Sequence, residues 1–304
     1  MLSTAALILI VTSKVVLGQD DRVPVDGQTY KLDMALDSVD DWYYGCEKEM
    51  ESLVRGEYLR KDISADISKF GKALLNSIEE MPAKLNIKHK LKMYHLIAIY
   101  MYSYSKPTKN PGLYKEFNHD VRTGKQKYEK KTYRWYSLHF LLTEAIEILK
   151  KTQQKCKLTY RGTKLKFNEN VLNTEIRFGS FASSSVHREI AKGFGTKSCF
   201  EILTCQGADV SEYSMLSYEK EVLIPPYEKF KVTEIKKGAW CNTVFVLKSS
   251  GLKSTLNCAM VIAFLDVRLE TWCDPLDAQA RDSELVVDLV QSLLSNSEQG
   301  AVKP

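Results

Sequence analysis

None of the seven cysteines forms a C-x-x-C pair, so that signature of a structural zinc site is missing. No N-x-S/T sequon occurs, and glycosylation gives no hint of where the chain resides. Internal repeats and low-complexity linkers are absent, which excludes solenoids and arrays. The apolar run from Ala5 to Val11 is too short to span a bilayer as a helix, so no stable membrane span is expected. Neither sign of charge dominates: 43 Lys and Arg face 38 Asp and Glu, for a net charge of +5. The small excess is spread along the chain, unlike the concentrated basic face of a nucleic-acid binder. The histidines, among them His95, His139 and His187, show no ligand-like spacing, and no metal is expected.

What is present describes a folded globule. Of 304 residues, 44% are hydrophobic and 27% charged, enough for a sizeable core. Residues 1–18 read as a secretory signal peptide, with Val16 and Gly18 before a cleavage point at Gln19. Lys14 interrupts its later part. In a secreted chain the cysteines are expected to form disulfides, and the odd count leaves at least one thiol over.

The chain changes character near residue 155. Before it, apolar residues recur at helical spacing, as in the stripe Leu138, Leu141, Leu142, Ala145 and Leu149. Helices are predicted over 45–59, 67–80, 85–104, 113–122 and 135–150. After it, strands are predicted over 157–160, 174–178, 200–204, 219–224, 230–234 and 243–248. Helices followed by strands point to an α+β domain with one shared core. The domain is expected to run over 19–265, with a helical part over about 30–150 and a β-rich catalytic part over about 155–265. A polar tail, 266–304, follows. Its segment 285–294 reads as a short amphipathic helix rather than the hydrophobic tail of a lipid-anchor signal.

Three short stretches carry candidate chemistry. In Glu219-Lys220-Glu221, a strand would put both carboxylates on one face. Such a pair suits cleavage of a glycosidic bond through an oxocarbenium-like transition state. Charge alternation on an exposed strand is the ordinary explanation of an isolated E-K-E. In Tyr160-Arg161-Gly162-Thr163, arginine offers a bidentate donor to phosphate and glycine permits close backbone approach. A surface arginine beside a turn is the alternative. In Phe181-Ala182-Ser183-Ser184-Ser185, small hydroxyls could bind a polar ligand or merely face solvent.

Arg, then Ser-x-Ser, then Glu-x-Glu resembles the signature of the arginine-specific ecto-mono-ADP-ribosyltransferases, relatives of ADP-ribosylating toxins. The resemblance runs from about residue 30 to 258. It includes Leu32-Asp33-Met34-Ala35-Leu36, Asp40-Asp41, Gly45-Cys46, Leu113-Tyr114-Lys115-Glu116-Phe117-Asn118 and Leu138 to Ala145. It continues through Thr204-Cys205-Gln206-Gly207-Ala208, Glu221 to Glu228 and Lys253 to Cys258. It implies an N-terminal helical region followed by a split pair of mainly antiparallel β-sheets around an NAD cleft. It also implies disulfides Cys46–Cys258 and Cys156–Cys205, leaving Cys199, Cys241 and Cys273 without assigned partners.

The implied activity is transfer of mono-ADP-ribose from NAD, the co-substrate, to accessible arginines of target proteins, with release of nicotinamide and no metal. Arg161 would grip the NAD diphosphate and Ser183 would orient the nicotinamide ribose. Glu221 would hold the ribose 2′-hydroxyl and stabilise the cation, and Glu219 would position the incoming guanidinium. Tyr102 and Ser214 match positions beside the nucleotide, with a helix-core tyrosine and a plain loop hydroxyl as alternatives. Tyr218 is placed to touch a target, or is simply a surface aromatic. The expected location is extracellular without a lipid anchor, and the oligomeric state stays open. Hydrolysis of NAD by water and an inactive secreted binding protein of the same fold are the competing functions.

Overall fold

The computed structural model describes residues 22, 24–59, 61–62, 73–74, 77–78, 91–103 and 113–262. The expected signal peptide, Cys273, the polar tail and most of the helix expected over 67–80 lie outside the described residues.

The helical part contains α1 (Glu47–Leu53), continued by a π-helical turn at Val54–Tyr58, then α2 (Met93–Ser103), α3 (Leu113–Thr123), α4 (Lys125–Glu129) and α5 (Tyr136–Thr152). In α3 the buried residues Leu113, Phe117 and Val121 recur every four positions, and Tyr114 and Asn118 are buried beside them. Its other face is polar, the pattern of a helix laid on a core. From His95 to Ser103, by contrast, α2 is buried on all sides, so polar residues cannot mark an outer face. Phe117 and Phe181 stack at 5.6 Å. Through that contact the helical core reaches the sheet beside the serines.

β1 (Thr29–Tyr30) and β3 (Lys166–Phe167) form a small parallel ribbon. The larger sheet comprises β2 (Lys157–Thr163), β4 (Glu175–Ile176), β5 (Ala182–Ser185), β6 (Ser198–Thr204), β7 (Ala208–Asp209), β8 (Glu221–Ile224), β9 (Glu228–Lys237) and β10 (Thr243–Leu252). Their spatial order is β4-β9-β10-β6-β2-β5-β8-β7. All neighbours are antiparallel except β10 and β6. β2 and β5 share only the register pair Tyr160↔Ser185. The sheet is therefore split there into five strands and three, with the candidate residues Arg161 on β2 and Ser183 on β5 flanking the split. A short helix, α6 (Arg188–Lys192), follows β5.

The two ends of the described domain are tied by a buried network. Arg177 Nη1 meets Asp40 Oδ2 at 2.5 Å with both side chains fully buried, and Asp40 Oδ1 accepts from the Thr255 and Leu256 amides. Glu228 is likewise saturated, by Thr204 Oγ1, Ser249 Oγ and the amides of Cys205 and Gln206. It thus fixes the corner around Thr204-Cys205-Gln206.

Cys46–Cys258 and Cys156–Cys205 are bonded as the resemblance implies. Cys199 and Cys241, left without partners in the sequence, bond to each other. This third bridge pins the turn before β10 to β6. Replacing both of its cysteines by alanine is expected to cost about 2–4 kcal/mol, read from thermal or denaturant unfolding. Peptide mapping of oxidised wild-type protein should recover Cys199 and Cys241 in one cross-linked peptide. Free thiols at these positions would contradict the pairing.

Candidate active site

Arg161 lies on β2, opposite Phe200 of β6. Its Nη1 donates to the Ser183 carbonyl at 2.6 Å, which bridges the split between the two halves of the sheet. Gly162 does permit a close approach, but the neighbour is the protein itself. A Cβ there would lie 2.3 Å from the Ala191 carbonyl oxygen and 2.4 Å from that of Gly195. The glycine lets α6 and its following loop sit against the arginine strand.

The serine stretch forms β5, buried throughout. Ser184 Oγ donates to the Val222 carbonyl and Ser185 Oγ to that of Glu219, at 2.9 and 2.6 Å. Ser185 faces Glu221 across the ladder, and Ser183 faces Leu223. In antiparallel register, Ser183, Ser185 and Glu221 therefore share one face.

The expectation that Glu219 and Glu221 project from one face of one strand is corrected. The strand begins at Glu221, and Glu219 ends a 3₁₀ turn, Ser217–Glu219. Between them Lys220 is left-handed, with φ 49° and ψ 53°. That conformation costs a lysine about 1 kcal/mol. It is held by Ser185 Oγ on the Glu219 carbonyl and by the Val186 amide on the Lys220 carbonyl. Strand periodicity does not pass through such a residue. The carboxylates are nevertheless both buried, at 2% and 1% exposure. Neither is the solvated charge that an ordinary E-K-E strand would present.

Burial without full pairing sets the electrostatics. Glu221 Oε2 accepts from Ser214 Oγ at 3.2 Å, while Glu221 Oε1 and Glu219 Oε2 have no hydrogen-bond partner. Desolvation pushes Glu219 up to about 9, with the neighbouring Glu221 charge adding to it. Desolvation also raises Glu221, opposed by Ser183, Ser214 and the Arg161 charge. Ser183 Oγ is buried beside the Glu221 carboxyl and the Tyr102 hydroxyl, near enough to favour their charged forms. It meets full hydrogen-bond geometry with neither.

Burial of Glu219 makes the stability of the fold depend on pH. Its folded form holds a proton up to about pH 9, whereas an unfolded glutamate loses it near pH 4.5. The protonated carboxyl thus favours the folded state fully below pH 4.5, and that advantage fades as pH rises toward 9. Glu219→Gln should match wild type at pH 4. It should be more stable at pH 8, by on the order of 1–3 kcal/mol. Melting curves at the two pH values test this, and equal differences at both would refute the assigned burial.

Two second-rank candidates also reach the site. Tyr102 is a buried helix residue of α2 whose hydroxyl donates to the Phe181 carbonyl at 3.1 Å. Ser214 donates to Glu221 and accepts from the Leu216 amide. Asn118 was not singled out as a site residue by the sequence, yet its Nδ2 donates to the Tyr102 hydroxyl at 3.1 Å. Tyr218 is 55% exposed and stands beside Glu219 on the turn. His139 and His95 take structural places, His139 between Tyr43 and the Val39 carbonyl and His95 against Glu144.

A cavity of about 1040 Å³ opens elsewhere, lined by Lys31, Asp33, Arg122, Phe167 and Phe178 among others, and contains none of Arg161, Ser183, Glu219 or Glu221. None of its lining residues has an unpartnered buried side-chain oxygen or nitrogen. At the split, by contrast, Ser183 Oγ, Glu219 Oε2 and Glu221 Oε1 are buried without a partner. Among the described residues, no group of His, Cys, Asp and Glu is disposed to hold a metal ion. Nor is any helix among them long and apolar enough to cross a membrane.

Residues 32–255 match the family model described as NAD:arginine ADP-ribosyltransferase. Human ecto-ADP-ribosyltransferase 4 is 36% identical over 251 residues, covering 76% of this chain and 74% of that protein. Human GPI-linked NAD(P)(+)–arginine ADP-ribosyltransferase 1 is 32% identical over 255 residues, covering 77% and 75%. The crystal structure of the eukaryotic mono-ADP-ribosyltransferase ART2.2 superposes with a TM-score of 0.61 at 28% identity, covering 75% of this chain and 98% of that one. A mutant of ART2.2 in complex with NAD gives 0.56 at 26% identity, with the same coverage.

Proposed function

The chain belongs to the NAD:arginine ADP-ribosyltransferase family, and from that premise we propose how its residues transfer ADP-ribose from NAD to arginine. The activity is mono-ADP-ribosylation with NAD as co-substrate. The observation that carries the proposal is the pair of buried, incompletely partnered carboxylates, Glu219 and Glu221, on either side of left-handed Lys220.

Glu221 is the residue for the donor. Its free Oε1 is to accept from the ribose 2′-hydroxyl, and its charge is to oppose the cation that grows as the glycosidic bond breaks. The electron pair of that bond leaves with nicotinamide. Ser183 and Ser214 keep the carboxylate oriented, and Arg161 supplies positive charge for the diphosphate. Tyr102 lines the same recess.

Glu219 is the residue for the acceptor. A guanidinium stays charged to well above pH 12, so it enters as a cation and pairs with the carboxylate. The arginine nitrogen bonds to the ribose anomeric carbon and gives up a proton, with Glu219 as acceptor. Since free Glu219 is protonated at neutral pH, acceptor binding should expel its proton. Calorimetry at pH 7 in buffers of different ionisation enthalpy is expected to show release of about one proton per agmatine bound. Apparent affinity should rise with pH toward 9. No proton release would detach Glu219 from the acceptor.

Helices and sheet both supply the site, which supports one catalytic unit over 19–265. Three disulfides suit an oxidising, extracellular setting, as do relatives named ecto-enzymes. The physiological acceptors are then proteins with arginines accessible outside the cell. The transfer is tested with labelled NAD and either agmatine or a primary amine of equal length. Label on agmatine alone is expected. Free ADP-ribose despite agmatine would make the protein a glycohydrolase, and no turnover would make it a binding protein.

A further inference from the structure

Three buried oxygens without partners lie around Tyr102: Ser183 Oγ, Glu221 Oε1 and Asn118 Oδ1. The proposed reaction accounts for two and leaves Asn118. Its side chain is 4% exposed and sits on α3, sixteen residues from Tyr102 in sequence.

A tyrosine hydroxyl has one proton and a limited capacity to accept. Tyr102 spends its proton on the Phe181 carbonyl. Asn118 must therefore present its NH₂ group to the phenolic oxygen, which leaves Oδ1 over. With that acceptor position filled, the Ser183 hydroxyl has less to gain by turning to Tyr102. Its single proton is left for the Glu221 carboxyl, the stronger acceptor once ionised.

We propose that Asn118 is a positioning residue for ADP-ribose transfer, acting through the Tyr102 hydroxyl to keep the Ser183 hydroxyl directed at Glu221. The inference rests on the role given to Glu221 above. It adds a control from the helical part of the molecule. Phe181, which accepts from Tyr102, stacks on Phe117 beside Asn118. The same two helices thus hold the start of β5 in place.

The test compares wild type, Asn118→Leu, Tyr102→Phe and the double variant. It uses nicotinamide release from NAD and agmatine labelling across pH. Asn118→Leu is expected to lower kcat about tenfold, the worth of one hydrogen bond in the transition state, with KM for NAD changed less than threefold. Without the Ser183 proton, Glu221 holds its own proton more tightly, so the acid limb of kcat should move to higher pH. The other groups acting on Glu221, namely Arg161, Asp209, Ser214 and Glu219, are unchanged in this variant. The double variant should be no worse than Tyr102→Phe alone. Should the leucine variant fail to fold, Asn118→Ala, which opens space instead of filling it, replaces it in every comparison. A lowered melting temperature with an unmoved acid limb would overturn the proposal, as would additive losses in the double variant. If wild type releases no nicotinamide, it is the assignment of the site itself that fails.

Discussion

Glu221→Gln is expected to lower nicotinamide release and acceptor labelling together, by on the order of 10²–10³. The amide keeps the shape of the carboxyl and can still accept from Ser214. What it loses is the negative charge facing the developing ribose cation. Both transfer and hydrolysis pass through that cation, so both must fall by the same factor. Burial makes the effect large, because a charge at 1% exposure acts with little screening by water. Steady-state rates with and without agmatine, on protein whose folding is confirmed by circular dichroism, test this. A loss confined to one of the two activities would move the role away from Glu221.

Glu219→Gln is expected to abolish transfer to arginine, by on the order of 10² or more, while NAD hydrolysis falls no more than a few-fold. The glutamine cannot form an ion pair with a guanidinium or take up its proton, but water needs neither. The protein should also lose the proton release on agmatine binding and gain stability at alkaline pH. Three independent readouts thus converge on one side chain. An inactive Glu219→Gln protein in which hydrolysis disappears as well would show that the two carboxylates act on a single partner.

Much of the candidate site is legible in the sequence because its residues stand in local motifs. Arg161, Ser183, Glu219 and Glu221 stand in short stretches whose order carries the resemblance, and strands 157–160, 200–204, 230–234 and 243–248 were found with ends extended by pairing. Local signals failed where distant contacts decide. E-K-E reads as strand alternation until Ser185 Oγ captures the Glu219 carbonyl and Lys220 turns left-handed. Cys199 and Cys241 were two of three unassigned cysteines, and only the meeting of β6 with the turn before β10 pairs them. Asn118 looks like one more polar residue on α3. Its significance lies in Tyr102 on a different helix. The Arg177–Asp40 pair spans 137 positions, and neither residue announces it.

If two adjacent buried carboxylates divide the work between donor and acceptor, the ratio of labelled agmatine to released nicotinamide at saturating agmatine separates them, in wild type and in Glu219→Gln. The ratio is expected near one for wild type, and near zero for Glu219→Gln with nicotinamide still released. A ratio that stays the same in both proteins would contradict that division.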